Sequence, residues 1–196
     1  MTGQHANLPI SVDTILATER TILRYPLLSD GPRIFSAIQS SQFPAQLPLK
    51  EIKAMDEVEA WIKRAQSNWQ KGRSFLWTVE ACKTELMLGQ VTLSRKSESD
   101  VWALAFWIHP DSWGQGYGSE AAGRVVGFGF EVLKVSKIWA GAGMWNERSC
   151  RVLEKLGMKY LRDNPEGYFI RGEAILTKEY ELTLDQWLEK CQRKGE

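Results

Sequence analysis

Residues 101–108, VWALAFWI, are apolar at every position. Successive side chains of a strand point to opposite faces of a sheet, so a strand formed by this segment would be apolar on both faces. Such a strand is favoured only where other layers cover both faces. We therefore expect a central strand that is covered on both sides.

The remaining hydrophobic patterns predict six further strands and five helices. The predicted strands cover residues 19–25, 74–82, 86–94, 101–108, 137–144, 159–170 and 174–184. The predicted helices cover residues 27–41, 56–70, 117–134, 147–156 and 185–191. This order fits one mixed, mostly antiparallel, seven-stranded α/β (α+β) sheet with helices on both faces. Residues 1–16 are expected to form an irregular lead-in and 185–196 a short C-terminal helix and tail, so that 1–196 is one domain.

Composition excludes several classes of protein. The chain has 25 Lys and Arg against 24 Asp and Glu, a balance that argues against a nucleic-acid partner. Three scattered cysteines and two histidines predict reduced thiols and no metal site. The first residues do not resemble a signal peptide, and no apolar run is long enough to cross a membrane. We therefore expect a cytoplasmic protein without a membrane partner.

A glycine-rich turn, WGQGYGSEA, follows the central strand at residues 113–121 and opens a predicted helix. The first turn of a helix has unpaired backbone N–H groups and the positive end of the helix dipole. Gly114, Gly116 and Gly118 would let a diphosphate approach that backbone, and Ser119 would add a hydroxyl donor. The spacing matches neither the phosphate loop nor the Rossmann fingerprint. The segment is thus a candidate anion site, and a purely structural turn is the alternative.

A second motif, NERSCRVLEKLGM, begins at Asn146. Together with FWIHPDSWGQGYGSEA it resembles the GCN5-related N-acetyltransferase (GNAT) superfamily, and within it the Rim-type branch, which acetylates ribosomal-protein N-termini and includes relatives with other amine substrates. The resemblance runs from Thr18 to Leu184. It implies a GNAT-type sheet whose central strands, 101–108 and 137–144, splay apart. It also implies acetyl-CoA as acyl donor and an amine as acceptor.

The resemblance also implies where acetyl-CoA would bind. The diphosphate would lie on the backbone N–H groups of Gln115, Gly116, Tyr117, Gly118 and Ser119. The pantetheine arm would lie along the end of the central strand, beside the backbone of Phe106, Trp107 and Ile108. Asn146 would lie next to that arm, and Ser149 would donate a proton to the departing thiolate. From the residues alone, Asn146 is an N-cap and Ser149 is equally well a residue that satisfies helix N-terminal donors.

The chain departs from the family where many relatives have a glutamate in the central strand, because Ala103 occupies that position. The base that deprotonates the amine must then be water or another side chain. Glu166 is our first candidate, with Glu80 and His109 as alternatives, and Tyr168 is a second candidate proton donor. The ordinary interpretations are a solvated charge for Glu166 and a loop hydrogen bond for His109.

The sequence therefore predicts an acetyl-CoA-dependent N-acetyltransferase that acts on a primary amine by direct attack. The amine would be a protein N-terminus or a small molecule. The alternative is a catalytically weak GNAT-like module that binds acyl-CoA. Residues 113–159 contain seven Lys and Arg against four Asp and Glu, a surplus that suits CoA phosphates as well as RNA. A monomer and a homodimer are both compatible with the sequence.

The acceptor is expected to contact the loop at residues 42–50, the helix that starts near Asp56, and the last two strands. Four acidic residues near this mouth would favour a cationic acceptor: Glu51, Asp56, Glu57 and Glu59. The alternative is ordinary electrostatic stabilisation of a helix N-terminus.

Overall fold

The computed structural model describes residues 8–96 and 100–193. The strands are β1 (Leu16–Ala17), β2 (Thr21–Arg24), β3 (Ser74–Ala81), β4 (Met87–Arg95), β5 (Val101–Ile108), β6 (Lys137–Gly143), β7 (Lys159–Ile170) and β8 (Glu173–Thr183). The α-helices are α1 (Gly31–Gln39), α2 (Met55–Gln70), α3 (Tyr117–Glu131), α4 (Glu147–Leu156) and α5 (Leu184–Gln192). Short 3-10 helices cover Leu28–Asp30, Pro48–Glu51 and Pro110–Ser112.

The strands form one eight-stranded sheet in the order β1-β2-β3-β4-β5-β6-β8-β7. Its neighbouring strands are antiparallel except for β5 and β6, which are parallel. The predicted count of seven strands was wrong because β1 adds an eighth. β1 has two residues, which pair with Leu23 and Ile22 of β2. A strand this short has no alternating pattern, so the sequence carries no periodic signal for it.

The predicted helix ends also required correction. The segment predicted as one helix at 27–41 forms the short 3-10 turn followed by α1. Helix α2 starts at Met55 with Ala54 as its N-cap residue, so Asp56 lies inside the first turn. Glu57 fixes this start, because its carboxylate accepts hydrogen bonds from the N–H groups of Lys53 at 2.6 Å and Ala54 at 3.3 Å. Helix α3 ends at Glu131, before Lys134, whose φ is 58°.

The core has two layers, one on each face of β5. Trp102 and Leu104 belong to a large apolar cluster that includes α3 and α4. Trp107, three residues beyond Leu104 and thus on the opposite face, belongs to a second cluster with α1 and α2. The prediction of a central strand covered on both sides is confirmed.

The sheet opens between β5 and β6. These strands pair only at their beginnings, where Val101, Trp102 and Ala103 lie opposite Lys137, Ile138 and Trp139. Farther along, β5 pairs only with β4, and β6 pairs only with β8. The predicted splay of the two central strands is therefore confirmed, and it leaves a gap inside the sheet. Within the described ranges, no helix is long and apolar enough to cross a membrane.

Candidate active site

A cavity of about 1290 Å³ occupies the opening in the sheet. Residues 104–108 of β5 and 140–143 of β6 line its centre. The glycine-rich turn, the start of α3 and the start of α4 line one side of it. The segment 42–49, together with Trp61 and Gln90, lines it on the side of α1 and α2. The cavity thus connects the two faces of the sheet through the gap between β5 and β6.

The glycine-rich turn gives α3 an open N-terminus. Gly114 and Gly116 have φ values of 77° and 84°, in the left-handed region that favours glycine. The first helical hydrogen bond runs from the N–H of Glu120 to the carbonyl of Gly116 at 3.1 Å. The N–H groups of the three preceding helical residues therefore have no acceptor within the helix. Gly118 also lets α3 approach β5, because a Cβ there would lie 3.4 Å from Ile108 Cγ1.

A clamp from the N-terminal hairpin holds this turn in place. The guanidinium of Arg20 donates to the carbonyl of Gln115 at 3.0 Å and to the carboxylate of Glu120 at 2.7 Å. Thr18 donates to the same carboxylate at 2.5 Å. Burial by itself would raise the pKa of Glu120, but the hydrogen bonds from Thr18 and Arg20 outweigh it and lower that pKa. Glu120 is therefore ionised, and its carboxylate holds the turn in position. Gln115 directs its carbonyl to this clamp and is outside the cavity lining.

The backbone of β5 faces the gap at alternate residues. The N–H of His109 donates to the carbonyl of Leu88 on β4 at 2.7 Å. Because backbone groups alternate in direction along a strand, the N–H and carbonyl of Trp107 also point toward β4. Those of Phe106 and Ile108 point toward β6, with which they do not pair. The indole of Trp113 already donates to the Ile108 carbonyl at 2.6 Å. Phe106 therefore offers its N–H and carbonyl to a ligand in the gap, and Ile108 offers its N–H.

The start of α4 brings Asn146 and Ser149 to the cavity wall. Asn146 is the N-cap, because its Oδ1 accepts a hydrogen bond from the N–H of Ser149 at 3.1 Å. The predicted capping role of Asn146 is confirmed. The Ser149 side chain is half-buried at the wall and is not the cap of this helix. Its hydroxyl is therefore available to a ligand.

The three candidate bases lie outside the cavity lining. Glu166 is exposed on β7. Glu80 is ion-paired with Arg24, which also binds Asp30. His109 is buried beneath its loop. On the same strand as Glu166, Tyr168 does line the cavity. Burial raises the pKa of the Tyr168 hydroxyl, and its hydrogen bond with Trp145 only partly opposes this.

His109 has a structural role in its loop. Its Nδ1 accepts from the N–H of Asp111 at 3.2 Å, and its Nε2 lies 3.4 Å from the Ser36 hydroxyl. Burial, together with the positive charge of Arg33, lowers the pKa of the imidazole. These contacts fit the loop hydrogen bond that we gave as the ordinary interpretation.

The lowered pKa predicts a specific pH dependence of stability. Above about pH 6.5, His109 is neutral in both the folded and the unfolded chain. As the pH falls below that value, the unfolded chain binds a proton that the folded chain resists, so the free energy of unfolding should decrease. Urea unfolding at pH 7.5, 6.5 and 5.5 measures this slope. His109→Asn, which preserves an acceptor for Asp111, should flatten the slope; an unchanged slope would contradict the assignment.

The sequence did not single out the residues that line the cavity from β4, and it counted the basic residues of α4 only as part of the positive surplus over residues 113–159. Arg148, Arg151 and Lys155 of α4 contribute positive charge, and Arg148 lies 5.2 Å above the ring of Trp113. Gln90 and Thr92 come from β4. The acidic residues expected at the acceptor mouth, from Glu51 to Glu59, are outside the lining. In the part of the chain that the structure describes, no group of three or more His, Cys, Asp or Glu side chains could hold a metal ion.

Comparisons with known proteins agree with this geometry. Residues 20–159 match the family model of the acetyltransferase (GNAT) domain. An uncharacterized N-acetyltransferase of Bacillus subtilis, YoaA, is 27% identical over 146 residues, which is 74% of this chain and 82% of the relative. The solved structure of Mycobacterium smegmatis RimJ in complex with CoA-disulfide has a TM-score of 0.74 at 16% identity, covering 96% of this chain and 98% of RimJ. A Salmonella typhimurium acetyltransferase that modifies the N-terminal serine of ribosomal protein L7/L12 has a TM-score of 0.75 at 14% identity, covering 87% and 99%.

Proposed function

Because the chain belongs to the GNAT acetyltransferase family, we propose that this acetyltransferase transfers the acetyl group of acetyl-CoA to a primary amine. The observation that carries the proposal is the open N-terminus of α3, which lines one side of the cavity in the split sheet. A helix N-terminus binds a diphosphate, and the gap beside it admits an extended chain. RimJ, which shares this fold, was solved with CoA-disulfide.

Acetyl-CoA fits the proposed site in two parts. Its diphosphate would accept hydrogen bonds from the N–H groups at the start of α3, with Ser119 and the α4 cations nearby. Its pantetheine arm carries amides, which would pair with the backbone of Phe106 and Ile108 where β6 has moved away. The acetyl thioester would then lie in the gap, between the two faces of the sheet.

The proposed reaction is a direct attack, so it requires no covalent bond between the protein and the acetyl group. The neutral amine attacks the thioester carbonyl, a C–N bond forms, and the C–S bond breaks to release the CoA thiolate. Backbone N–H groups of β5 that face the gap would stabilise the oxyanion. Ser149, at the cavity wall, is the proposed proton donor to the thiolate. Glu166 stays a prediction for the base, and water is the alternative, since Glu166 lies outside the lining.

Two measurements on the purified protein test the proposal. Calorimetry should show that acetyl-CoA binds with micromolar affinity, and a thiol reagent should detect CoA release that depends on an added amine. A panel of amino acid amides, peptides, polyamines and amino sugars covers the acceptor classes. Absence of acetyl-CoA binding would overturn the proposal.

A binding module without turnover is the second candidate function. It is favoured by one observation: the family's glutamate position is Ala103, and the other candidate bases are outside the cavity lining. Tight acyl-CoA binding with no amine-dependent thiol release across the panel would establish it.

Three finer features belong to the same proposal. The fold shared with RimJ and the Salmonella L7/L12 acetyltransferase supports the Rim-type branch, and with it an acceptor that is either a protein N-terminus or a small amine. A cytoplasmic location is part of the proposal because acetyl-CoA is made available there. The monomer and the homodimer stay alternatives that gel filtration distinguishes.

A further inference from the structure

One buried polar group at the cavity has no hydrogen-bond partner in the part of the chain that the structure describes. Gln90 of β4 lines the cavity and is 1% exposed. Its Oε1 accepts hydrogen bonds from the indole N–H groups of Trp107 at 3.2 Å and Trp61 at 3.4 Å. Its Nε2 has no hydrogen-bond partner among the described residues. Leaving a buried donor unsatisfied is unfavourable, so we expect a hydrogen-bond acceptor from outside the described residues to lie beside this group.

The orientation of the Gln90 amide is fixed by its neighbours. An indole N–H is a donor only, so both tryptophans require an acceptor from Gln90. Rotating the amide by half a turn would point Nε2 at two donors and lose both bonds. The Nε2 group must therefore remain a donor, and the missing partner must be a hydrogen-bond acceptor.

The surroundings of Gln90 are apolar and aromatic. The cavity lining on this side comes mainly from large uncharged side chains: Phe43, Leu47, Leu49, Trp61, Leu76 and Trp107. The charged residues that line the cavity, Glu147, Arg148, Arg151 and Lys155, all belong to α4. An apolar surface disfavours the ammonium form of a bound amine, which must be neutral to react.

The pKa of the acceptor amine therefore decides which amines can react. An α-amine with a pKa of about 7.8 is about one-third neutral at pH 7.5, whereas an alkylamine with a pKa of about 10.4 is only about 0.1% neutral. A site with this lining should favour α-amines over polyamines. In an α-aminoacyl group the amine is also next to a carbonyl. The oxygen of that carbonyl is a hydrogen-bond acceptor of the kind that Gln90 Nε2 lacks.

We infer that Gln90 is a specificity residue of the acceptor site, and that the acceptor is an α-aminoacyl amide with an apolar side chain. The inference rests on the proposed acetyl transfer. The carbonyl oxygen of the acceptor accepts a hydrogen bond from Gln90 Nε2, and its side chain contacts the aromatic lining around Phe43 and Trp61. The same α-aminoacyl chemistry occurs in a small aminoacyl amide and at a peptide N-terminus.

The test compares phenylalaninamide with 2-phenylethylamine, which has the same ring and no carbonyl. The ratio of their kcat/KM values is measured at equal concentrations of neutral amine. We expect the wild type to prefer phenylalaninamide at least about tenfold, and Gln90→Met to reduce that ratio at least about tenfold. A Phe-Ala-Ala peptide distinguishes a peptide N-terminus, if it reacts as well as the amide, from a small aminoacyl amide, if it does not.

Two further variants keep this result interpretable. Gln66→Met makes the same substitution on α2, where Gln66 donates to the Pro26 carbonyl at 2.9 Å outside the cavity lining, and should leave the ratio unchanged. Gln90→Glu retains the acceptors for both indoles, and its ionised carboxylate has no donor. The ratio should therefore fall as the pH is raised and this carboxyl group ionises, and the variant carries the test if the methionine variant does not fold.

The outcomes separate the inference from the proposed function. An unchanged ratio in the Gln90 variants, or a wild type that prefers spermidine, would overturn the inference while acetyl transfer stands. Acetyl-CoA binding with no acetylation of any amine would overturn the proposed transfer itself, and the inference with it.

Discussion

Ser119→Asp should weaken acetyl-CoA binding at least about 100-fold, which corresponds to about 2.8 kcal/mol. Ser119 is the third residue of α3 and lines the cavity. A carboxylate at this position would accept hydrogen bonds from the backbone N–H groups that are proposed to bind the diphosphate. It would also repel the negative charge of the diphosphate. The same carboxylate is favourable for the helix dipole by about 0.3–1 kcal/mol, so the variant should fold at least as well as the wild type.

Ser119→Asn is the matched control because asparagine has nearly the same shape as aspartate without its charge. Calorimetry should show a Kd for the asparagine variant within about fivefold of the wild type, and thermal unfolding should show the aspartate variant to be intact. If Ser119→Asp binds acetyl-CoA with the affinity of Ser119→Asn, the start of α3 is not the diphosphate site.

Ser149→Ala should lower kcat about 100-fold, at the lower end of the range for loss of a general acid, because water can partly replace the hydroxyl. The Kd for acetyl-CoA should change less than threefold. Stability should stay within about 0.5 kcal/mol, since the helix cap is made by Asn146 and is unaffected. Ser149→Thr should recover activity because it retains a hydroxyl.

The structural explanation of Ser149 makes a different prediction. If its main role is to stabilise the start of α4, Ser149→Ala should resemble Asn146→Ala, which removes the cap and should cost about 1 kcal/mol of unfolding free energy. Steady-state kinetics and urea unfolding of both variants distinguish the roles. A kcat within threefold of the wild type, together with a loss of stability, would exclude proton donation by Ser149.

Local patterns account for the parts of the fold that the sequence predicted well. The all-apolar run at 101–108 specifies an interior strand, and the glycines near Gly116 specify the start of α3. The cap of α4 by Asn146 depends on residues three positions apart. The clamp between Arg20 and Glu120 joins residues 100 positions apart, so no local pattern contains it.

Strand β7 shows how a local irregularity limits prediction. Alternation along a regular strand would place residues 166 and 168 on the same face. In the structure, the register with β8 shifts between Asn164 and Tyr168, and Pro165, which has no N–H, lies within that shift. Glu166 is therefore in the irregular stretch, whereas Tyr168 has returned to regular pairing and lines the cavity.

Strand β4 shows a different limit. Gln90 and Thr92 alternate with apolar residues, which is the usual pattern of a strand with one solvated face. In the structure, that polar face is turned toward the cavity and Gln90 is buried. The sequence pattern gives the polarity of a face, but it does not tell whether bulk water or an internal site lies against it.

The gap between β5 and β6 also bears on how the protein avoids aggregation. Unpaired strand edges at the perimeter of a sheet recruit strands from other chains, and proteins usually block them with charges, prolines or bulges. Here the backbone groups of Phe106 and the N–H of Ile108, which pair with no neighbouring strand among the described residues, lie in the middle of an eight-stranded sheet. A narrow extended ligand can enter between the flanking strands, whereas a strand of another protein would have to separate β5 from β6 where these two strands pair. The protein can therefore keep free backbone N–H and carbonyl groups for a ligand without exposing an aggregation-prone edge strand to other protein molecules.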